Sequence, residues 1–91
     1  MKLSDSGKFN FEQDKQFYIK VGKKIKQARV TKVNEFTGKE FKITQTKVAE
    51  AIKTTFQQVG KYEKGDDRIP LINLFKISKF LNKPIDYFLE D

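Results

Sequence analysis

The chain has 91 residues, enough for one domain with a small core, because a chain of this size buries only about 60–65% of the surface its unfolded form exposes. It contains no cysteine and no histidine, which removes disulfides, thiol nucleophiles, imidazole bases and nearly all transition-metal sites, and with them most enzyme chemistry. The formal net charge of +7 is uneven: residues 1–20 carry +1, residues 21–64 carry +7 and residues 65–91 carry −1, so either a polyanionic partner or a merely solvating lysine surface is implied.

Residues 1–13 hold Ser, Asp, Gly and Asn around Phe9 and Phe11 with no sustained period, and read as a flexible amino-terminal arm; residues 14–91 read as the folded domain. From Asp14, a predicted cap, Phe17, Val21, Ile25 and Ala28 recur as one apolar stripe, the first helix. Lys20, Lys23, Lys24 and Lys26 decorate its other faces and read as solvated surface, with one of them near a phosphate as the alternative. The next stretch, Val30 to Ile43, allows two forms. The first helix runs on to about Val33 before an irregular or hairpin-like loop, which we favour, or Asn34-Glu35-Phe36 and Lys39-Glu40-Phe41 pair across Thr37-Gly38. Phe36, Phe41 and Ile43 need cover; capping the bottom of the core is favoured over an exposed dimer contact.

Thr44 opens a second helix, where its hydroxyl can cap the first free amides, and Val48, Ala49 and Ile52 share the face that must be buried. Lys53-Thr54 interrupts the pattern. Thr55-Phe56-Gln57-Gln58 then has the spacing of a capping box, with Gln58 reaching back to the Thr55 amide, so a third helix starts there. Val59 and Tyr62 fall on its inward side, and Phe56, Gln57, Gln58 and Lys61 are left outward. The small Ala49 lets the two helices cross closely. Gly65 is placed to end the third helix in a left-handed conformation. Asp66-Asp67-Arg68 lead to Pro70 at the first turn of a fourth helix, whose predicted buried stripe is Leu71, Leu74, Phe75, Ile77 and Leu81. Asn82 suits its carboxyl-terminal cap, and Pro84 to Leu89 reads as a short fifth helix that closes the core.

Thr44-Gln45, Val48-Ala49-Glu50, Ile52, Val59, Lys61, Tyr62-Glu63 and Gly65 together resemble the Cro and phage-repressor (XRE) helix-turn-helix family. The match continues downstream through Ile69-Pro70, Leu71, Leu74, Ile77, Leu81, Asn82, Ile85, Asp86 and Phe88, and upstream through Val21-Gly22, Ile25 and Arg29. It spans roughly residues 17 to 89, and the combination is far more specific than any of its pieces. Two departures stand out: the segment between Arg29 and Thr44 is longer than the family pattern allows, and Lys53 stands where the family usually has glycine.

The resemblance implies an all-α, compact five-helix, lambda-repressor-like domain that binds double-stranded DNA, with a short hairpin or extended loop between helices one and two. Thr55, Phe56, Gln57, Gln58 and Lys61 match the positions that read bases. Glutamine pairs in two places with adenine, lysine donates to guanine, and a phenylalanine packs on a thymine methyl. Gln45 matches a residue that meets a phosphate at the start of a helix; Lys64 and Arg68, flanking the loop after the recognition helix, are candidates for phosphate contacts that set register. Arg29 and Glu63 match a buried ion pair. The neutral charge before Asp14 argues against a basic arm in the minor groove.

The implied function is a sequence-specific transcriptional regulator, a repressor acting as a homodimer on a pseudo-palindromic operator. An alternative from another class is a protein-interaction module, antitoxin-like or anti-regulator, that keeps the fold and uses the insertion as its contact surface. No apolar run approaches a membrane span or a signal-peptide core, so a cytoplasmic chain with no membrane partner is expected. Neither a cofactor nor a small-molecule ligand is implied.

Overall fold

In the computed structural model the described residues are 11–90, with side chains from residue 13 onward. Seven elements follow one another: α1 (Phe11–Val30), β1 (Lys32–Val33), β2 (Glu40–Phe41), α2 (Gln45–Ile52), α3 (Phe56–Lys64), α4 (Leu71–Leu81) and α5 (Ile85–Leu89). The fold is thus five helices around one core with a two-stranded insertion. Most of the expected amino-terminal arm lies outside the described residues.

α1 begins at Phe11, ahead of the predicted cap. Asp14 therefore sits inside the helix, where its carboxylate accepts from Arg68 Nη2 at 3.2 Å instead of capping free amides. Val21, Ile25 and Ala28 are buried as the stripe requires. Phe17 is turned outward, edge-on to Tyr18, and it is Tyr18 that packs on the core. Lys24 is not simply solvated: its ammonium lies 4.8 Å from the ring centre of Tyr87, which Lys83 also approaches at 4.9 Å, so one aromatic ring joins α1 to α5.

α1 stops at Val30, not near Val33, and the hairpin form of the insertion is the one adopted. Its strands pair antiparallel with Lys32 opposite Phe41 and Val33 opposite Glu40, a register different from the expected one. The reason lies in Asn34. Its side-chain oxygen accepts from the amides of Phe36 and Thr37, and its own backbone bonds to Gly38 and Lys39, so the turn closes around Asn34 and the strands fall outside it. Phe36 is 97% exposed and Phe41 is also exposed, so neither caps the core; of the three, only Ile43 packs against it. Lys32 reaches back to donate to the Leu81 carbonyl at the end of α4. Burial there, with the Lys83 ammonium nearby, holds its ammonium below the usual lysine range.

α4 corrects the predicted stripe in a second place. Leu74, Ile77 and Leu81 are buried, as expected, but Leu71 is 73% exposed and Phe75 is exposed too. Leu71, Ile72 and Phe75 form, with Ile85 of α5, a shallow apolar groove on the surface. Ser78 takes part of the inward face instead, with its hydroxyl satisfied by the Lys83 carbonyl at 2.5 Å. Asn82 ends the helix with φ +56°, and Phe88 of α5 closes the core fully buried.

Candidate nucleic-acid interface

The geometry starts with two threonine caps. The Thr44 hydroxyl accepts from the Lys47 amide at 3.1 Å and fixes the start of α2; the Thr55 hydroxyl accepts from the Gln58 amide at 3.1 Å and fixes the start of α3. Between them Lys53 takes a left-handed conformation, φ +59° and ψ +53°, and the Thr54 amide returns to the Ala49 carbonyl at 2.9 Å. Lysine is tolerated where glycine is cheaper. Val48, Ala49 and Ile52 from α2 and Val59 and Tyr62 from α3 are buried against the body, with the Tyr62 hydroxyl accepting from Asn73 at 3.2 Å.

α3 is locked to α1 by a close approach and by an ion pair. Gly22 lies so near the end of α3 that a Cβ there would sit 2.3 Å from the Tyr62 carbonyl oxygen. Arg29 then grips Glu63 with two bonds, Nε to Oε2 at 2.7 Å and Nη2 to Oε1 at 3.0 Å, with the side chains 11% and 4% exposed. The Arg29 guanidinium also donates to the Ile43 carbonyl at 3.0 Å, which ties the base of the hairpin into the same knot.

With one face of α3 so fixed, Thr55, Phe56, Gln57, Lys61 and Lys64 are exposed on the other. They are brought together on one short helix. Three of the expected contact residues are engaged within the chain. Gln58 does not complete the capping box; its amide nitrogen turns to Asp67 and donates to Oδ2 at 2.9 Å. Gln45 donates to Glu63 Oε1 at 3.0 Å and lies beside Gly60, so it belongs to the ion-pair knot as well as to the start of α2. Arg68 is held near α1 by Asp14. The bonds to Asp14 and Asp67 had no signal in sequence spacing, since both depend on where the loop after α3 falls. Among the described residues no three His, Cys, Asp or Glu side chains come together to hold a metal ion, and no helix is long and apolar enough to cross a membrane.

A helix-turn-helix family model matches residues 39–88, more than half of the chain and all of α2 to α4. The chain belongs to the Cro/phage-repressor (XRE) helix-turn-helix family. Relatives within this family include an HTH-type transcriptional regulator of Sinorhizobium medicae, 45% identical over 49 residues, covering 54% of this chain and 35% of the relative. Another, of Sinorhizobium fredii, is 42% identical over 71 residues, 78% of this chain and 43% of the relative. A transcriptional regulator in the ATPase CF(0) region of Rhodospirillum rubrum is 37% identical over 71 residues, 78% of this chain and 57% of that one. The chain spans between about a third and three fifths of the length of these relatives. Among solved structures, the restriction-modification controller protein C.AhdI from Aeromonas hydrophila has the same fold: TM-score 0.63 over 81% of this chain and 94% of the other, at 19% identity.

Proposed function

We propose that this helix-turn-helix chain binds double-stranded DNA sequence-specifically as a transcriptional regulator, with α3 as the helix that enters the major groove. One observation carries the reading: α3 has one face buried and pinned by Gly22 and Arg29, while Thr55, Phe56, Gln57 and Lys61 on the other are exposed. A rigidly held helix with free amide, ammonium and aromatic groups suits base edges. Thr55, Phe56, Gln57, Gln58 and Lys61 read bases, and Gln45, Lys64 and Arg68 contact phosphates and set register. The chain acts as a homodimer on a pseudo-palindromic site whose half-sites lie about one helical turn apart, and represses by excluding polymerase. The apolar groove of Leu71, Ile72, Phe75 and Ile85 is where a second copy sits, on a stretch of the chain with little net charge. It acts in the cytoplasm.

The experiment is selection of bound sequences from a random duplex pool, followed by titration at several salt concentrations. A symmetric selected site and a steep fall of affinity with salt are expected; affinity flat with salt defeats the DNA reading. Gln57→Ala is expected to lose roughly 1–3 kcal/mol on the selected site and little on random duplex. Equal loss on both removes Gln57 from the base readers. A protein-interaction module is the second reading, favoured by the exposed Val33, Phe36 and Phe41 of the hairpin, and flat salt dependence is the result that selects it.

A further inference from the structure

Asp67 lies beside a surface proposed to meet a polyanion, where a carboxylate lowers affinity. Its position is imposed by the fold. Gly65 ends α3 at φ +75° against Ile19, where a Cβ would lie 2.6 Å from Ile19 Cγ1 and 2.7 Å from its Cα. The Asp66 amide returns to the Lys61 carbonyl at 3.0 Å, Arg68 is tied to Asp14, and Ile69 is buried. Asp67 is thus held between two anchored neighbours and accepts from Gln58 Nε2 at 2.9 Å.

A carboxylate only accepts, so this bond decides which way round the Gln58 amide stands: nitrogen toward Asp67, carbonyl oxygen free. If the amide turned over, its oxygen would meet a carboxylate oxygen. Among the described residues Oε1 of Gln58 has no protein donor. We propose that Asp67 is a specificity-determining positioning residue, which holds the Gln58 amide with its oxygen available to the groove and so selects adenine there. Adenine offers an N6 donor beside the N7 acceptor, matching the free oxygen and the remaining N–H; guanine presents O6 and N7, two acceptors, and opposes the oxygen. A glutamine free to turn accepts either purine. This rests on the DNA-binding function proposed above.

The test is selection from a random duplex pool with the unaltered chain, Asp67→Ala, Asp67→Asn, Gln58→Ala and the double variant Gln58→Ala/Asp67→Ala. The unaltered chain is expected to prefer adenine over guanine by about tenfold at one position of each half-site, and both Asp67 variants to narrow that to about twofold. Asn keeps the size of the side chain and removes its charge, and its amide accepts or donates, so it permits either orientation of Gln58. Adding Asp67→Ala to Gln58→Ala is expected to change no base preference further. Affinity for random duplex at low salt is expected to rise in both Asp67 variants as the negative charge is lost. Wild-type preferences retained in Asp67→Ala, a preference change that persists without Gln58, or unchanged random-duplex affinity each overturns the proposal. A wild-type chain with no salt-dependent duplex binding overturns the DNA reading itself, and is seen before any variant is made.

Discussion

Residues 31–43 and residues 44–65 are adjacent in the chain and are joined through one arginine, yet they are built on opposite terms. In the second stretch, Val48, Ala49 and Ile52 of α2 and Val59 and Tyr62 of α3 turn inward, and each helix has a threonine cap. In the first, four strand residues and a turn held by Asn34 leave Val33, Phe36 and Phe41 in solvent. Two-stranded hairpins are marginal without a packed face, so this one depends on its base, where the Ile43 amide bonds to the Arg29 carbonyl at 2.8 Å and the Arg29 side chain bonds to the Ile43 carbonyl. The motif is fixed by packing and the hairpin by tethering.

The largest effect is expected at the knot they share. Glu63→Gln leaves the Arg29 guanidinium nearly buried without its carboxylate, and should lower stability by about 3–5 kcal/mol in chemical denaturation. The hairpin and α3 should loosen together, which amide hydrogen exchange at Ile43 and along α3 measures. Unchanged unfolding with weakened DNA binding makes the pair functional and not structural. Gly22→Ala comes next. Its methyl group meets the backbone of Tyr62 and Glu63, which cannot give as a flexible side chain would, so α1 and α3 must separate. A loss of about 1–3 kcal/mol is expected, seen as a lower midpoint of thermal unfolding. Exchange at the hairpin tip should not follow it, because residues 34–39 are exposed and bond to one another across the turn.

The motif was legible in the sequence because its signals are local: a cap at Thr44, a cap at Thr55, an apolar period between, and Gly65 at the end. The surface of α4 was not, because Leu71 and Phe75 fit an inward stripe as well as Leu74 and Ile77 do. Which of them turns inward depends on where α2 and α5 lie, and periodicity does not carry that. The side-chain partners of Gln45 and Gln58 were hidden for a similar reason: Glu63 and Asp67 are reached through tertiary placement, not spacing. In the hairpin, Thr37-Gly38 looked like the centre of a two-residue turn, but Asn34 captures two amides and moves the turn earlier.

Lys53→Gly gives a smaller effect of opposite sign. The left-handed backbone there is strained for lysine by about 1 kcal/mol, partly offset by the greater freedom glycine gains when unfolded. A gain of about 0.5–1 kcal/mol in urea unfolding is expected. A loss would mean that the Lys53 side chain makes a stabilising contact.

The smallest effect belongs to the hairpin tip. Phe36→Ser removes a large apolar side chain, which from the core would cost about 3–5 kcal/mol, but at 97% exposure there is almost no burial to lose. Stability should change by less than about 0.5 kcal/mol, and Val59→Ala, a smaller truncation at a fully buried site of α3, should exceed it several-fold in the same urea titration. The comparison turns on protein concentration. If Phe36→Ser lowers the unfolding midpoint only at high concentration, the tip is buried against another copy; if it does so at every concentration, the hairpin folds back on the body and is held by packing after all.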